Sequence, residues 1–294
     1  MKNSILIITS SIDTTIDLLI SRHSFEFSIY RLNIDELEKY DISYTNYSFE
    51  IKSQEYTVSD IHSIYFRKIF LPSLSNYDKK YHNFMLKDIY SFIIGFADGF
   101  DGKVLNRPSN VKKTENKVYQ LFIADKLNLL MPNSVISNDK KYVNSCVENG
   151  QWIVKPLASA NINQSKKVMT NILADRVANI EFCPVYAQDY VSKDYELRVT
   201  VINNHFYTAK ILSNKTDWRN DDNVKYELIE TPDRVLSECT KFLEYCDLNF
   251  GAFDYLVKDG EYYFLECNPN GQWMWLEEML DLDISHKIME YLSC

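Results

Sequence analysis

Two carboxylates and a carboxamide lie close together near the end of the chain. They are Asp254, Glu266 and Asn268, in the stretch GAFDYLVKDGEYYFLECNPNGQWMWLE from Gly251 to Glu277. Glu266 and Asn268 are two apart in an extended run, so they share one face of a strand. Three oxygen donors of this kind suit Mg2+, which keeps several waters and takes further ligands from phosphates. Asn-Pro-Asn-Gly follows at 268–271 and breaks the strand, and loops at strand ends are where sites are commonly built.

Whether Asp254 joins the other two depends on the hairpin turn. A two-residue Asp259-Gly260 turn faces Asp254 away from Glu266. A three-residue loop, Lys258 to Gly260, sets Asp254 opposite Phe264 and diagonal to Glu266, about 7–8 Å apart at the backbone. The second pairing brings the two carboxylates within reach of a shared ion.

Other residues carry charge where a polyanion could meet it. Lys155 ends the apolar run Trp152 to Val154, and an amine in such surroundings needs an anion to justify its burial. Glu196 and Arg198 alternate with Leu197 and Val199, which gives a strand one polar and one apolar face. The triplet Asp217-Trp218-Arg219 on residues alone reads as a turn between strands. A hydroxyl nucleophile would benefit from a general base. His205, the histidine nearest the site strands, falls in an Asn-Asn-His turn and is read as a turn residue, so no base is assigned.

The elements that position these residues follow from periodicity. Strands are expected at Ser4–Thr9, Phe27–Leu32, Ser63–Phe66 and Val104–Asn106, with helices at Thr14–Arg22 and Tyr81–Phe100. This alternation describes an α/β unit of about a hundred residues. One amphipathic helix is expected over Lys112–Lys126, with Val118, Leu121, Phe122 and Asp125 at helical spacing. Strands at Val135–Ile136 and Trp152–Lys155 flank a helix at Lys140–Val147. Beyond Pro184, strands dominate: 184–190, 196–202, 206–212, then a helix over Pro232–Asp247 and the hairpin 250–257 with 261–268.

The stretch FLECNPNGQWMWLE resembles the closing motif of ATP-grasp ligases, and most closely the microviridin-type, or graspetide, ligases that cross-link ribosomally made peptides. The resemblance implies an α/β (α+β) fold in three parts: an N-terminal α/β pre-ATP-grasp domain at 1–108, a small central domain at 109–185 and a C-terminal antiparallel-sheet domain at 186–294. It makes Asp254, Glu266 and Asn268 a magnesium triad. It makes Lys117 and Lys155, the latter in QWIVKPL, contacts to ATP phosphates, with Lys210 facing the same nucleotide. VYAQDYVSKDYELRV resembles the adenine hinge, where backbone around Gln188, Asp189 and Val191 reads the base and Lys193 or Asp194 reaches the ribose. Arg198, Asp217 and Arg219 become catalytic candidates.

YFRKIFLP is similar to the family's Tyr-x-Arg-Arg element. Arg67 is thereby a substrate contact, and Lys68 replaces the second arginine, keeping the charge without the planar fork. The phosphate loop at 157–165 lacks the glycines usual in the fold, having Ala158, Ser159 and Ala160 instead.

The implied cofactors are ATP and Mg2+. The implied reaction activates a carboxylate as an acyl phosphate, which a hydroxyl or amine then attacks to give an ester or amide. Expected partners are a precursor peptide with a leader segment and a second copy of the chain in a homodimer. Two alternatives stand beside this reading: a ligase joining free amino acids or small metabolites, and a binding protein that no longer catalyses.

Composition sets outer bounds. The chain has 294 residues, 46% of them hydrophobic, enough for a large core. With 41 acidic against 32 basic residues, its net charge of −9 disfavours non-specific nucleic-acid binding. Six cysteines form neither a Cys-x-x-Cys pair nor a disulfide framework, and are read as reduced, buried thiols. The apolar run Ile5–Ile8 is too short for a signal peptide, and Phe92–Phe100 is too interrupted to span a membrane. A cytoplasmic location is expected.

Overall fold

The structure is a computed structural model and describes residues 3–45, 48–158, 161–162, 166–167, 170–173 and 177–294. The apolar run at the start forms β1 (Ser4–Thr9), followed by α1 (Thr14–His23) and β2 (Ser28–Asn33). Three short strands follow, β3 (Asp41–Thr45), β4 (Ser48–Lys52) and β5 (Thr57–Val58), and pair with one another as an antiparallel meander. Then come β6 (Ser63–Phe66), α2 (Lys79–Gly99) and β7 (Lys103–Leu105). The four longer-range strands make a parallel sheet in the order β2-β1-β6-β7. Such a sheet must be covered on both faces. Leu6, Ile8 and Ile64 pack towards α2 and the meander, while Ile5, Ile7 and Tyr65 pack towards α1 and the C-terminal helices.

The segment expected as one helix is two: α3 (Pro108–Thr114) and α4 (Lys117–Lys126). Asn116 breaks it. Its backbone is extended and its side chain accepts a hydrogen bond from the Tyr119 N–H at 3.1 Å, the arrangement that starts a helix. The buried face of α4 is also not the expected one: Gln120, Ile123 and Ala124 point inward, whereas Phe122 is 70% exposed. Next come β8 (Ser134–Ser137), α5 (Lys140–Cys146), β9 (Trp152–Lys155), β10 (Asn161–Ile162), β11 (Lys166–Lys167), β12 (Asn171–Ile172) and β13 (Val185–Asp189). A central antiparallel sheet runs β12-β9-β13-β8. β13 thus crosses the boundary expected between 185 and 186. Of the 157–165 loop, residues 159–160 and 163–165 lie outside the described residues.

The last unit holds β14 (Tyr195–Ile202), β15 (His205–Leu212), β16 (Lys225–Ile229), α6 (Asp233–Cys246), β17 (Phe250–Lys258), β18 (Glu261–Asn268), α7 (Met274–Leu280) and α8 (Ile284–Ser293). Its antiparallel sheet is ordered β16-β15-β14-β17-β18. Leu197, Val199 and Val201 pack with Val235, Cys239 and Phe242 of α6 and with Ile123 of α4. The opposite face carries Glu196, Arg198 and Asp254, which line a cleft. His205 is exposed and opens β15 directly after the Asn203 turn. Cys239, Cys246 and Cys267 are buried free thiols, but Cys183 and Cys294 are exposed. Among the described residues no helix is long and apolar enough to cross a membrane.

Candidate active site

The β17–β18 hairpin turns through Asp259 and Gly260, both with positive φ (51° and 79°), as a two-residue hairpin requires. Lys258 therefore pairs with Glu261, and Tyr255 with Phe264. The three-residue loop is not formed, yet Asp254 is not turned away either. The pairing slips between Asp254 and Tyr255, so that Asp254 lies directly opposite Glu266 and Ala252 opposite Asn268. Leu265 is the extra residue of this bulge. It lets Tyr255 and Phe264 keep the core face while the two carboxylates share the cleft face. Asn268 Nδ2 lies 3.4 Å from Asp254 Oδ2 and 3.3 Å from Glu266 Oε1. Turning its amide over would present the oxygen instead, completing a set of hard oxygen donors that fits Mg2+.

Cations surround this set. Arg198 Nη1 donates to both Asp254 oxygens at 2.8 and 3.0 Å, and Arg219 Nη2 approaches Asp254 at 3.7 Å. Asp217 accepts from the Arg219 backbone N–H at 3.1 Å and pairs with its side chain at 3.4 Å, so the acid of the triplet holds its arginine over the cleft. Lys117 Nζ lies 3.6 Å from Glu266 and donates to the Pro156 carbonyl at 3.0 Å. Lys155 donates to Gln188 Oε1 at 2.6 Å. Burial pushes the Lys155 amine down to about 8, against the pull of Glu266. Burial also opposes ionisation of Glu266, but Lys117, Lys155 and Arg219 outweigh it and hold the carboxyl below its ordinary value. Glu196, paired with Lys193, is pushed upward by its burial.

Part of the cleft lining is apolar. Pro132, Ile153, Val191, Leu256 and Leu265 form it beside Gln188, Asp189 and Lys193. The Asp189 and Tyr190 N–H groups are engaged by Asn133 and Gln151 carbonyls, both at 2.8 Å. The N–H of Val191 has no partner among the described residues, so it is free to meet a flat heterocycle's edge. Asp194 is tied to Lys258 and the Asp259 N–H instead, which leaves Lys193 at the cleft. The whole cleft is about 950 Å³ and joins an apolar slot, a cationic middle and a paired-carboxylate floor.

No protein-family model matches the chain, and no curated protein matches it. Solved structures do. A RiPP-associated ATP-grasp ligase from Chryseobacterium gregarium, in complex with ADP and a leader and core peptide, superposes with a TM-score of 0.87 at 26% identity, over 99% of this chain and 96% of that one. The macrocyclase MdnC from Microcystis aeruginosa MRC, bound with precursor peptide MdnA, gives 0.87 at 25% identity, over 98% and 99%. This chain has the ATP-grasp fold of these ligases. The fold extends to D-alanyl-alanine synthetase A from Vibrio cholerae, at a TM-score of 0.59 and 10% identity over 99% and 97%.

Within this fold the expected site residues line the cleft except Arg67, Lys210 and, of the two ribose candidates, Asp194. Lys210 pairs with Leu197 across β14 and β15, so it shares that residue's face, opposite the cleft. Its Nζ sits 3.2 Å from Glu227 on the edge strand and stacks on Tyr195. The expectation that it meets the same nucleotide as Lys117 and Lys155 is corrected by this strand alternation. Arg67 is 1% exposed and lies behind the cleft. It contacts Asp13 at 3.3 Å, Asn270 at 3.1 Å and Gln272 at 3.4 Å, over the Tyr65 ring. A guanidinium so enclosed shapes the 268–272 loop rather than reaching a substrate. Gly271 permits this loop to approach: a Cβ there would lie 2.6 Å from Ala252 and 3.2 Å from Arg198. Sequence reasoning missed Lys112 and Trp275, both in the cleft lining. Trp275 forms an aromatic group with Trp218 and Tyr226, at 5.4 and 5.3 Å between ring centres. Only the helical phase of α7 could have pointed to it.

Proposed function

We infer that this chain is a ligase that uses ATP and Mg2+ to activate side-chain carboxylates of a ribosomally made precursor peptide and to close ester or amide cross-links within it. The observation that carries this reading is the direct opposition of Asp254 and Glu266 under Arg219 and Lys117, in a cleft that continues into an apolar slot. The slot between Ile153, Val191 and Leu256 takes the adenine, and Lys193 lies at the ribose. Lys117 and Lys155 hold phosphate oxygens, which restores to Lys155 the charge that burial disfavours. Asp254, Glu266 and Asn268 would hold Mg2+, which would supply charge neutralisation for the transferring phosphoryl group.

Arg219, 44% exposed at its side chain and aimed by Asp217, faces the transferring phosphoryl group and the incoming carboxylate. Arg198 is 6% exposed and spans Asp254 and the Gln272 carbonyl, so it acts on the floor of the site. In the first step a carboxylate oxygen bonds to the γ-phosphorus and ADP leaves. In the second a hydroxyl or amine bonds to the acyl carbon, phosphate leaves, and the nucleophile gives up its proton. Most of the catalysis is positioning and charge neutralisation.

A peptide partner accords with the peptides in the Chryseobacterium and Microcystis complexes. The net charge of −9 fits an enzyme that does not use nucleic acid, and we place it in the cytoplasm, with a homodimer as its assembly. The test is ADP release: it should require an acidic peptide and Mg2+ together. Release with free amino acids alone would favour a metabolite ligase.

A further inference from the structure

Gln120 joins the two halves of the site. It sits one turn into α4, 4% exposed. Its Oε1 accepts from the Cys267 N–H at 2.8 Å, and its Nε2 donates to the Cys267 carbonyl at 2.8 Å and the Thr114 carbonyl at 2.8 Å. Both N–H groups of the amide are therefore engaged. β18 is an edge strand of its sheet, so the outward-facing peptide groups of Cys267 have no neighbouring strand to pair with. The Gln120 amide supplies that pairing, as one residue of an adjacent strand would.

Cys267 lies between Glu266 and Asn268. The two hydrogen bonds fix the peptide units through which both side chains leave the strand. The helix that carries Gln120 begins at Lys117, whose amine lies 3.6 Å from Glu266. We propose that Gln120 is a positioning residue that sets the ion-binding geometry of Glu266 and Asn268 and locks it to the lysine of α4. The proposal rests on the reading of Asp254, Glu266 and Asn268 as the Mg2+ ligands. Residues that orient metal ligands without touching the ion commonly control metal affinity by about 10–100-fold.

The test compares wild type with Gln120→Met, which keeps length but cannot bridge Cys267. Ile93→Ala, on α2 in the core against β1, β6 and the meander, serves as a control for lost stability. Gln120→Met should raise the Mg2+ concentration that half-saturates ADP release by about 10-fold or more. Its affinity for ATP in EDTA should stay at the wild-type value. Ile93→Ala should lower the melting temperature and leave the Mg2+ dependence unchanged. An unchanged Mg2+ dependence in folded Gln120→Met overturns the proposal, as does an equal shift in Ile93→Ala. If Gln120→Met does not accumulate as folded protein, Gln120→Asn, with the amide withdrawn by one methylene, carries the same two outcomes. Wild-type ADP release without Mg2+ would instead sink the metal reading itself, so the two failures are distinguishable.

Discussion

Asp254 and Glu266 face each other across β17 and β18 only because Leu265 is an extra residue in the edge strand. The hairpin turn alone would have set Asp254 opposite Leu265. A bulge that re-aims a side chain beside a site is a recurrent use of this irregularity. Here it makes an acidic floor from two strands whose other faces are core.

Glu266→Gln keeps the shape of the floor and removes one of its charges. Turnover should fall by more than about 100-fold, beyond what loss of an indirect partner usually costs. The melting curve should remain cooperative, since the strand keeps its pairing. Steady-state ADP release and thermal melting on the same preparation check both halves, and near-wild-type turnover would remove Glu266 from the ion site.

Lys155 gives the site a pH dependence. In the free protein burial holds its amine at about 8 instead of the ordinary 10.5. A bound polyphosphate favours the charged form, so nucleotide affinity should weaken as pH rises through about 8, with proton uptake on binding above that point. The stability sign is opposite. Between about 8 and 10.5 the unfolded chain binds a proton that the folded chain does not, so this group's contribution to stability rises with pH. Calorimetric titrations in two buffers of different ionisation enthalpy report the proton uptake. Lys155→Met should abolish both the uptake and the pH dependence.

Arg67 is enclosed with Asp13, and removing one partner of a buried pair typically costs about 3–5 kcal/mol. Arg67→Met should therefore destabilise the ligase by about that amount in urea unfolding. In the folded fraction the KM for peptide should stay near wild type. A large rise in that KM with unchanged stability would restore Arg67 as a substrate contact.

Lys210 should be dispensable for nucleotide. Its pair with Glu227 is a surface ion pair of a kind worth about 0–1 kcal/mol. Lys210→Ala should leave ATP affinity unchanged, while Lys117→Ala weakens it. Equal losses in both would place Lys210 at the cleft after all.

The elements with long apolar runs were legible in the sequence. β1, β14 and the β17–β18 hairpin lie where periodicity puts them, and the ligand types follow from Glu266 and Asn268 being two apart. What was not legible depends on tertiary contacts. The meander β3–β5 buries Phe49, Ile51 and Val58, with Ile42 partly buried beside them, and their alternation acquires meaning only against α2. The helix break at Asn116 had a signal, a cap residue inside a polar run, that the helical spacing of Val118 and Leu121 concealed. Lys210 was placed at the nucleotide by the resemblance alone, and its strand offers no polar face to test that, since Ala209 and Ile211 on the other side are buried as well. The bulge at Leu265 has no glycine to mark it. Arg67 is expected at the substrate from its place in YFRKIFLP, and only the packing of Tyr65, Asp13 and Asn270 around it shows how enclosed it is.

The proposed reaction is condensation within a peptide at the expense of ATP. A peptide rich in Asp, Glu, Ser, Thr and Lys, preceded by a leader segment, is incubated with enzyme, ATP and Mg2+ and followed by mass spectrometry. Each acyl phosphate resolved by an internal hydroxyl or amine removes one water, so the products should appear as successive losses of about 18 Da. No loss should occur without ATP or with Glu266→Gln. An unchanged peptide mass alongside steady ADP release, or a mass gain from an attached amino acid, would contradict the account.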